Sequence, residues 1–185
     1  MRLYALCDID MLRANGVDLG TFVSQAKKYD AEILQYRNKH ADIATIKGDL
    51  ILLRQLWDGF LIINDHYELA PFCDGIHIGQ EDLLTIDSDP ERAIKILKLA
   101  IGADKIIGLS THNANEIAIA NTLDLNYIGL GAFRATLTKS DTKVLGDSLD
   151  TIASGSKHPV AAIGGVRLED RFQHVTYNVI GSGLL

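Results

Sequence analysis

The chain has 185 residues, of which 47% are hydrophobic and 23% are charged, which is typical of one globular domain that buries its own core. Its formal net charge of −6 argues against a nucleic-acid partner, and no apolar run is long enough to cross a membrane. The apolar surroundings of Cys7 and Cys73, together with the lack of a signal-peptide pattern, predict a cytoplasmic protein.

Short apolar runs alternate with amphipathic stretches along the whole chain. The apolar runs lie at residues 3–8, 32–37, 59–65, 75–80, 105–111, 127–132, 159–165 and 177–183. Each run is continuously apolar, which is typical of parallel strands covered on both faces. Helical patterns lie between most of them, at residues 19–29, 46–57, 91–100, 114–123 and 145–155. The connection at 67–73 is shorter and leaves room for one or two helical turns, and the connection at 167–174 is also short.

Eight such strands predict a (β/α)8 TIM barrel that occupies residues 1–185 as a single domain. The alternative is an open, doubly wound sheet, but the first strand is not followed by the glycine pattern GxGxxG that such sheets use for dinucleotides. The chain stops at Leu185, directly after the eighth predicted strand. We therefore expect the last helix of the barrel to be missing.

The second predicted strand carries Gln35, Arg37 and Lys39 at every second position. Alternate residues of a strand point to the same face, so an amide and two cations are directed to one side. An exposed edge strand with a charged face would explain this pattern. A closed barrel has no edges, however, and there the three side chains would point into its mouth.

Polar side chains follow most of the other predicted strands, at the end where a (β/α)8 barrel has its active site. They are Asp8, Asn64, Asp65, Gln80, Asp82, Ser110, His112, Thr136, Thr138 and Lys139. The planar fork of Arg37 and the point charges of Lys39 and Lys139 indicate a phosphate-bearing substrate. Asp65 and Asp82 are the hard oxygen ligands that magnesium prefers and shares with phosphates.

Each of these features also has a purely structural interpretation. Asn64–Asp65 alone could cap a helix, Gly164–Gly165 alone could form a turn, and residues 136–139 could be a solvated loop. In the functional interpretation, the backbone N–H groups of Gly164–Gly165 approach an anion. The shared position of all these residues at one end of the barrel favours a site.

Six segments of the chain resemble, in this order, signatures of the thiamine-phosphate synthase family: AEILQYRNK, LIINDHYELA, DGIHIGQEDL, IIGLSTH, YIGLGAFRATLTKSDT and VAAIGGV. The resemblance extends from the second predicted strand to the seventh. It implies a (β/α)8 barrel and a transferase that joins a hydroxymethylpyrimidine diphosphate to a thiazole phosphate, giving thiamine phosphate and pyrophosphate. It also implies a magnesium-assisted dissociative route, in which the diphosphate leaves first and the thiazole nitrogen then captures the pyrimidine cation.

The resemblance also implies a role for each matching residue. The diphosphate would be held by Arg37, Lys39, Asn64 and Lys139, which are catalytic together with Ser110. The pyrimidine would be held by Gln35 and Ser110, and magnesium by Asp65 and Asp82. The thiazole phosphate would contact Thr136, Thr138 and the backbone at Gly165, Ile180 and Gly181.

Five positions depart from the family pattern. Tyr36 replaces a usual leucine, and Ala132 and Ala135 replace usual prolines. Arg134 is unusual, and Gly181 stands where the family has a serine. These departures leave the degree of activity open.

Two other functions compete with the synthase. A related thiazole tautomerase has a proton-transferring histidine at the position of Ala132. His112 could act as a substitute base, but its position after the fifth strand favours capping or flanking the next helix. A non-catalytic barrel that binds thiamine precursors for regulation would not need both aspartates. A missing last helix would expose an apolar wall, so we also expect a homodimer with Leu184 and Leu185 in its interface.

Overall fold

The computed structural model describes residues 2–135 and 144–185 as eight parallel strands that close into a barrel. The strands are β1 Arg2–Asp8, β2 Ala31–Arg37, β3 Phe60–Asn64, β4 Gly75–Ile78, β5 Ile106–Thr111, β6 Tyr127–Leu130, β7 Val160–Ala162 and β8 Tyr177–Ile180. Each strand pairs with its neighbour in sequence, and β8 pairs with β1. The predicted barrel is confirmed.

Helices cover the outside of the barrel in the described part of the chain. They are α1 Ile9–Ala14, α2 Leu19–Lys28, α3 Ile43–Leu56, α4 Gln80–Ile86, α5 Pro90–Ile101, α6 Ala114–Ala120 and α7 Ser148–Ala153, with 3₁₀ helices at Tyr67–Phe72 and Ser182–Leu184. None of these helices is long and apolar enough to cross a membrane. The longer ones begin where an aspartate accepts a hydrogen bond from a first-turn N–H, as Asp18 does from Thr21 and Asp42 from Thr45.

Two helices were not predicted from the sequence. Helix α1 has six residues and buries only Ile9 and Leu12, and α4 has seven residues and buries only Leu83. Such short segments do not repeat an apolar pattern often enough to reveal a helical period.

Alternate residues of each strand face the barrel interior, and the others pack beneath the helices. The interior cluster consists of Tyr4, Ile33, Ile62, Tyr127, Ala161 and Val179. The ring of Tyr127 fits because its register partner on β5 is Gly108, where a Cβ atom would lie only 2.1 Å from the ring. A glycine on one strand therefore makes room for an aromatic ring on the next.

The outer wall of β1 and β8 is more covered than the sequence suggested. Leu3 is 8% exposed and Ile180 is 1% exposed, because the connection between β7 and β8 packs there and Asn178 donates a hydrogen bond to the carbonyl oxygen of Asp170. The expectation of an uncovered apolar wall is therefore wrong for these residues.

The last 3₁₀ helix buries Leu184 within the chain itself and leaves Leu185 half-exposed. Leu184 is therefore not available for the expected dimer interface. The homodimer stays a prediction, which light scattering at micromolar concentration would test.

Candidate active site

The polar strand β2 points into the mouth of the barrel, as the sequence pattern indicated. Gln35 is buried in the interior, Arg37 lies at the end of the strand, and Lys39 is exposed just beyond it. Tyr36 has the opposite orientation: its ring is buried under α3 and its hydroxyl donates a hydrogen bond to Asp49. The edge-strand alternative is excluded because β2 pairs on both sides.

Arg37 has a carboxylate partner whose position at the strand ends was predicted from the sequence but whose role was not. It forms a largely buried ion pair with Asp8, its register partner at the end of β1. The other oxygen of Asp8 accepts a hydrogen bond from the Met11 N–H at 3.0 Å and so caps α1. Asp8 therefore holds the guanidinium in place at the mouth and balances its charge.

Two carboxylates, Asp65 and Asp82, follow the neighbouring strands β3 and β4. Asp65 is held at a left-handed φ of 63°, and its backbone N–H donates to the His77 carbonyl at 2.9 Å. Burial and the nearby charge of Asp82 raise the pKa of Asp65, while Lys39 and Arg37 oppose that rise. Asp82 lies exposed in the first turn of α4. Asp82, Lys39 and Arg37 are therefore all within electrostatic reach of Asp65.

This pair of carboxylates fits a magnesium ion that completes its coordination with other ligands. A divalent cation would relieve the repulsion between Asp65 and Asp82 that raises the Asp65 pKa. Within residues 2–135 and 144–185, no group of three or more histidine, cysteine or acidic side chains could enclose a metal. Magnesium is commonly bound by one or two carboxylates, with waters and substrate phosphates in the remaining positions.

A continuous series of hydrogen bonds joins the predicted pyrimidine residues to Asp65 through the barrel interior. Its members, in spatial order, are Ser110, His77, Tyr127, Tyr4, Gln35, Asn64 and Asp65. We refer to these seven residues as the interior chain. It connects strands β5, β4, β6, β1, β2 and β3, so it passes through most of the barrel.

The two ends of the interior chain reach the mouth. At the first end, Ser110 Oγ lies 2.9 Å from Nε2 of His77. Toward the other end, which is Asp65, Gln35 Nε2 donates to Asn64 Oδ1 at 2.8 Å. Gln80 supports the first end from outside the chain, because its amide donates to the Ser110 carbonyl at 2.7 Å.

The middle of the interior chain was missed from the sequence. Tyr4, His77 and Tyr127 are each less than a tenth exposed and lie in apolar runs, where such residues are usually part of the core. Burial raises the pKa of the Tyr4 and Tyr127 hydroxyls well above their ordinary value, so both keep their protons at neutral pH. The histidine in the motif DGIHIGQ and the tyrosine opposite Gly108 are the only sequence signals for this feature.

The contacts of Arg134, just beyond the end of β6, explain its departure from the family pattern. Arg134 forms two hydrogen bonds with Asp170, at 2.6 and 2.8 Å, and a third with the carbonyl oxygen of Gly165 at 2.7 Å. It thereby ties the β6 end to the connection between β7 and β8. Thr136, Thr138 and Lys139 lie outside the described residues.

Glycines surround the mouth beyond β7 and β8. Gly165 has a left-handed φ of 66°, and a Cβ atom there would lie 2.7 Å from the Cβ atom of Arg134. Among the described residues, no acceptor is within hydrogen-bond distance of the Gly165 N–H. Ile180 is the last residue of β8, and Gly181 follows it at the start of the final 3₁₀ helix.

Ala132 and His112, the two positions considered for proton transfer in a tautomerase, make other contacts. The methyl group of Ala132 packs where a Cβ atom at Gly164 would be, at 2.6 Å, so this position offers no proton donor. His112 interacts with Glu116 in the first turn of α6, with 3.0 Å between its Nδ1 and the carboxylate. It flanks a helix, as its position after β5 predicted.

Comparisons with known families, proteins and solved structures identify what the chain is similar to. Residues 3–182 match the family model described as thiamine monophosphate synthase. The thiamine-phosphate synthase of Persephonella marina is 34% identical over 90% of this chain and 77% of that protein. The enzyme of the same name from Lawsonia intracellularis is 35% identical over 98% of this chain and 79% of that protein. A solved thiamine phosphate pyrophosphorylase from Pyrococcus furiosus is 25% identical, with a TM-score of 0.78 over 98% of this chain and 85% of its own.

Proposed function

The chain belongs to the thiamine monophosphate synthase family and is a transferase of that type, and we propose that it joins hydroxymethylpyrimidine diphosphate to thiazole phosphate. The products are thiamine phosphate and pyrophosphate. The observation that carries the proposal is that Arg37, Lys39, Asp65 and Asp82 follow the ends of the neighbouring strands β2, β3 and β4, so cations and metal-binding acids share one mouth.

The reaction follows from the charges at this mouth. The bond between the pyrimidine methylene carbon and the diphosphate oxygen breaks, and its electron pair leaves with the diphosphate. Arg37, Lys39, Asn64 and Lys139 contact the departing group, where charge-assisted hydrogen bonds are strongest. The lone pair of the thiazole nitrogen then forms the new carbon–nitrogen bond.

The two organic substrates bind to different parts of the mouth. Gln35 and Ser110 hold the pyrimidine from the interior side. Thr136, Thr138 and the backbone groups of Gly165, Ile180 and Gly181 hold the thiazole phosphate. Within the described residues the Gly165 N–H donates no hydrogen bond, which supports this assignment because backbone donors bind phosphate well.

Magnesium completes the proposal. When bound by Asp65 and Asp82, it would neutralise charge on the departing diphosphate. The raised pKa of Asp65, caused first by burial and then by the charge of Asp82, supports this, because a bound cation would favour the ionised carboxylate in both respects.

The test is to mix the two precursors with the protein and measure thiamine phosphate and pyrophosphate, with Mg²⁺ and with a chelator. We expect both products in equal amounts, and only with the divalent cation. Asp82→Ala should abolish synthesis at limiting Mg²⁺, whereas Glu81→Ala, its exposed neighbour in the same helical turn, should not. Synthesis in the presence of chelator, or by Asp82→Ala at the wild-type rate, would refute the metal assignment.

A further inference from the structure

We propose that a cavity on the outer wall of the barrel binds a small 2-hydroxy carboxylate. The cavity has a volume of about 190 Å³ and lies between β1, β8, the end of α2 and the connection from β7 to β8. It is smaller than the cavities that hold drug-sized ligands, which measure about 300–1,000 Å³. The site is separate from the proposed reaction, whose side chains lie in the barrel interior and at its mouth.

The cavity faces away from the barrel interior because of strand alternation. Leu3 of β1 and Asn178 of β8 are register partners, and both line the cavity. Their neighbours Tyr4 and Val179 belong to the interior cluster, so the side chains of Leu3 and Asn178 point outward. A ligand in the cavity therefore contacts the outer face of the β1–β8 pair.

The first feature that points to a ligand is the amide of Asn178, which is only 4% exposed. Its Nδ2 group donates to the carbonyl oxygens of Arg167, at 3.3 Å, and Asp170, at 3.1 Å. These two acceptors fix the orientation of the amide. They leave Oδ1 as the only buried side-chain polar atom among the described residues that has no hydrogen-bond partner. A buried acceptor without a donor is costly, so the site favours a ligand that brings a hydrogen-bond donor.

The second feature is the positive charge of the cavity wall, which comes from Arg2 and Arg171. Arg2 is balanced by an ion pair with Glu32. The Nη1 group of Arg171 donates to the carbonyl oxygens of Leu168 and Asp170, at 2.8 and 2.9 Å. Within residues 2–135 and 144–185, no carboxylate forms an ion pair with Arg171. One uncompensated guanidinium favours a ligand with one negative charge, and its planar fork matches a carboxylate.

The spacing of these two features defines the ligand further. Asn178 Nδ2 and Arg171 Nη1 donate to the same carbonyl oxygen, that of Asp170, so the amide and the guanidinium lie side by side. The donor of the ligand must therefore be close to its carboxylate, as it is on the adjacent carbon atom. A hydroxyl group fits better than an ammonium group, because Arg2 and Arg171 would repel a second cation.

The rest of the cavity wall is mainly apolar. Leu3, Leu168 and Ile180 line it, together with Tyr29 at the end of α2. This surface favours a short aliphatic group on the ligand, which an inorganic anion does not have. A 2-hydroxy carboxylate with a branched aliphatic group, such as 2-hydroxyisovalerate, combines all three properties.

The test is a ¹H–¹⁵N NMR titration of the full chain with 2-hydroxyisovalerate, with and without inorganic pyrophosphate and Mg²⁺. We expect saturable shifts of the Asn178 side-chain amide and of the backbone N–H groups of Leu3 and Arg171, with a Kd of about 1 mM, which is typical of so small a ligand. Pyrophosphate should not displace the ligand. A cavity that holds only water would give no saturable shift, and that result, or shifts confined to the barrel mouth, overturns the proposal.

Three related compounds test the chemical class without changing the protein. Isovalerate lacks the hydroxyl group and leaves Asn178 Oδ1 without a donor, and 2-hydroxyisovaleramide lacks the charge that pairs with Arg171. We expect each to bind at least about tenfold more weakly than 2-hydroxyisovalerate. Valine, in which an ammonium group replaces the hydroxyl, should also bind more weakly. Equal binding of all four compounds overturns the assigned class.

Arg171→Gln removes the charge from the cavity wall, and it should weaken binding of 2-hydroxyisovalerate at least about tenfold. Arg167→Gln is the matched control, because Arg167 is an exposed arginine of the same connection that does not line the cavity. It should leave the Kd unchanged. Equal Kd values for the wild type and a folded Arg171→Gln variant overturn the proposal. The titrations contain neither precursor, so their outcome is independent of whether the protein forms thiamine phosphate.

Discussion

The two sides of the barrel mouth are built differently. On the β1–β5 side, charged and polar side chains hold one another, as Asp8 holds Arg37 and Asn64 contacts Asp65. On the β6–β8 side, the described residues offer mainly backbone and glycine, and the charged Arg134 is turned toward Asp170. A bond that breaks with a build-up of charge needs fixed charges nearby, whereas a phosphate that stays intact can be held by N–H groups.

The largest expected effect is on the β1–β5 side. Asp65→Asn should lower the rate of synthesis by about 10³-fold or more, because it removes a metal ligand. It should not lower the free energy of unfolding at pH 7. The raised pKa means that folding disfavours the ionised form, so the wild type loses stability as the pH rises through that pKa and the variant does not.

Denaturant unfolding at two pH values, together with the synthesis assay, checks this prediction. The difference in stability should disappear well below 3.8, the ordinary pKa of an aspartate, where the wild-type carboxyl is protonated in both states. A variant that is less stable than the wild type at pH 7 would contradict the assigned cause of the pKa shift.

Arg37→Ala should have the next largest effect, lowering kcat by about 10²–10³-fold through lost contacts to the leaving diphosphate. It should also destabilise the fold, because Asp8 is left buried without its partner. Adding Asp8→Asn should restore stability and not activity, which separates the two roles. Arg92→Ala, an exposed arginine on α5, is the control and should change neither.

Gly165→Ala tests the backbone side of the mouth. The new Cβ atom would be in a left-handed conformation and in contact with Arg134, so we expect a loss of about 1–2 kcal/mol in stability. The KM for the thiazole phosphate should rise more than the KM for the pyrimidine diphosphate. Gly16→Ala is the control, because Gly16 has the same φ sign with open space around it. Equal changes in both KM values would show that the two sides do not divide the substrates.

Arg134→Ala should have the smallest effect. It releases the connection between β7 and β8 but removes no proposed substrate contact, so the KM for the thiazole phosphate should rise only several-fold, with kcat nearly unchanged. Arg167→Ala, next to an exposed Glu169, is the control in steady-state kinetics. A large loss in kcat would mean that Arg134 contacts the leaving group instead.

Much of the fold was predictable because each strand is a continuous apolar run, and the inward direction of Gln35 and Arg37 followed from simple alternation. Strand ends were less predictable. The runs at 75–80, 127–132 and 177–183 continue past the last paired residues, Ile78, Leu130 and Ile180, since glycines and apolar residues also form the loops beyond them.

Side-chain contacts between different strands could not be predicted from the sequence. The pairing of Arg37 with Asp8 depends on the register of β2 against β1, and no single segment encodes that register. The interior chain depends on six strands contributing their inward faces at compatible heights. The coverage of Leu184 and of the β8 wall depends on how an irregular connection packs, which periodicity does not describe.

The fit between Gly108 and the ring of Tyr127 has an evolutionary consequence. Any side chain at position 108 would occupy the space of that ring, so the two positions are not free to vary independently. A lineage that fills position 108 must give up the tyrosine at 127, and with it the link between His77 and Tyr4. We therefore expect substitutions at these two sites to be correlated in any large set of related sequences.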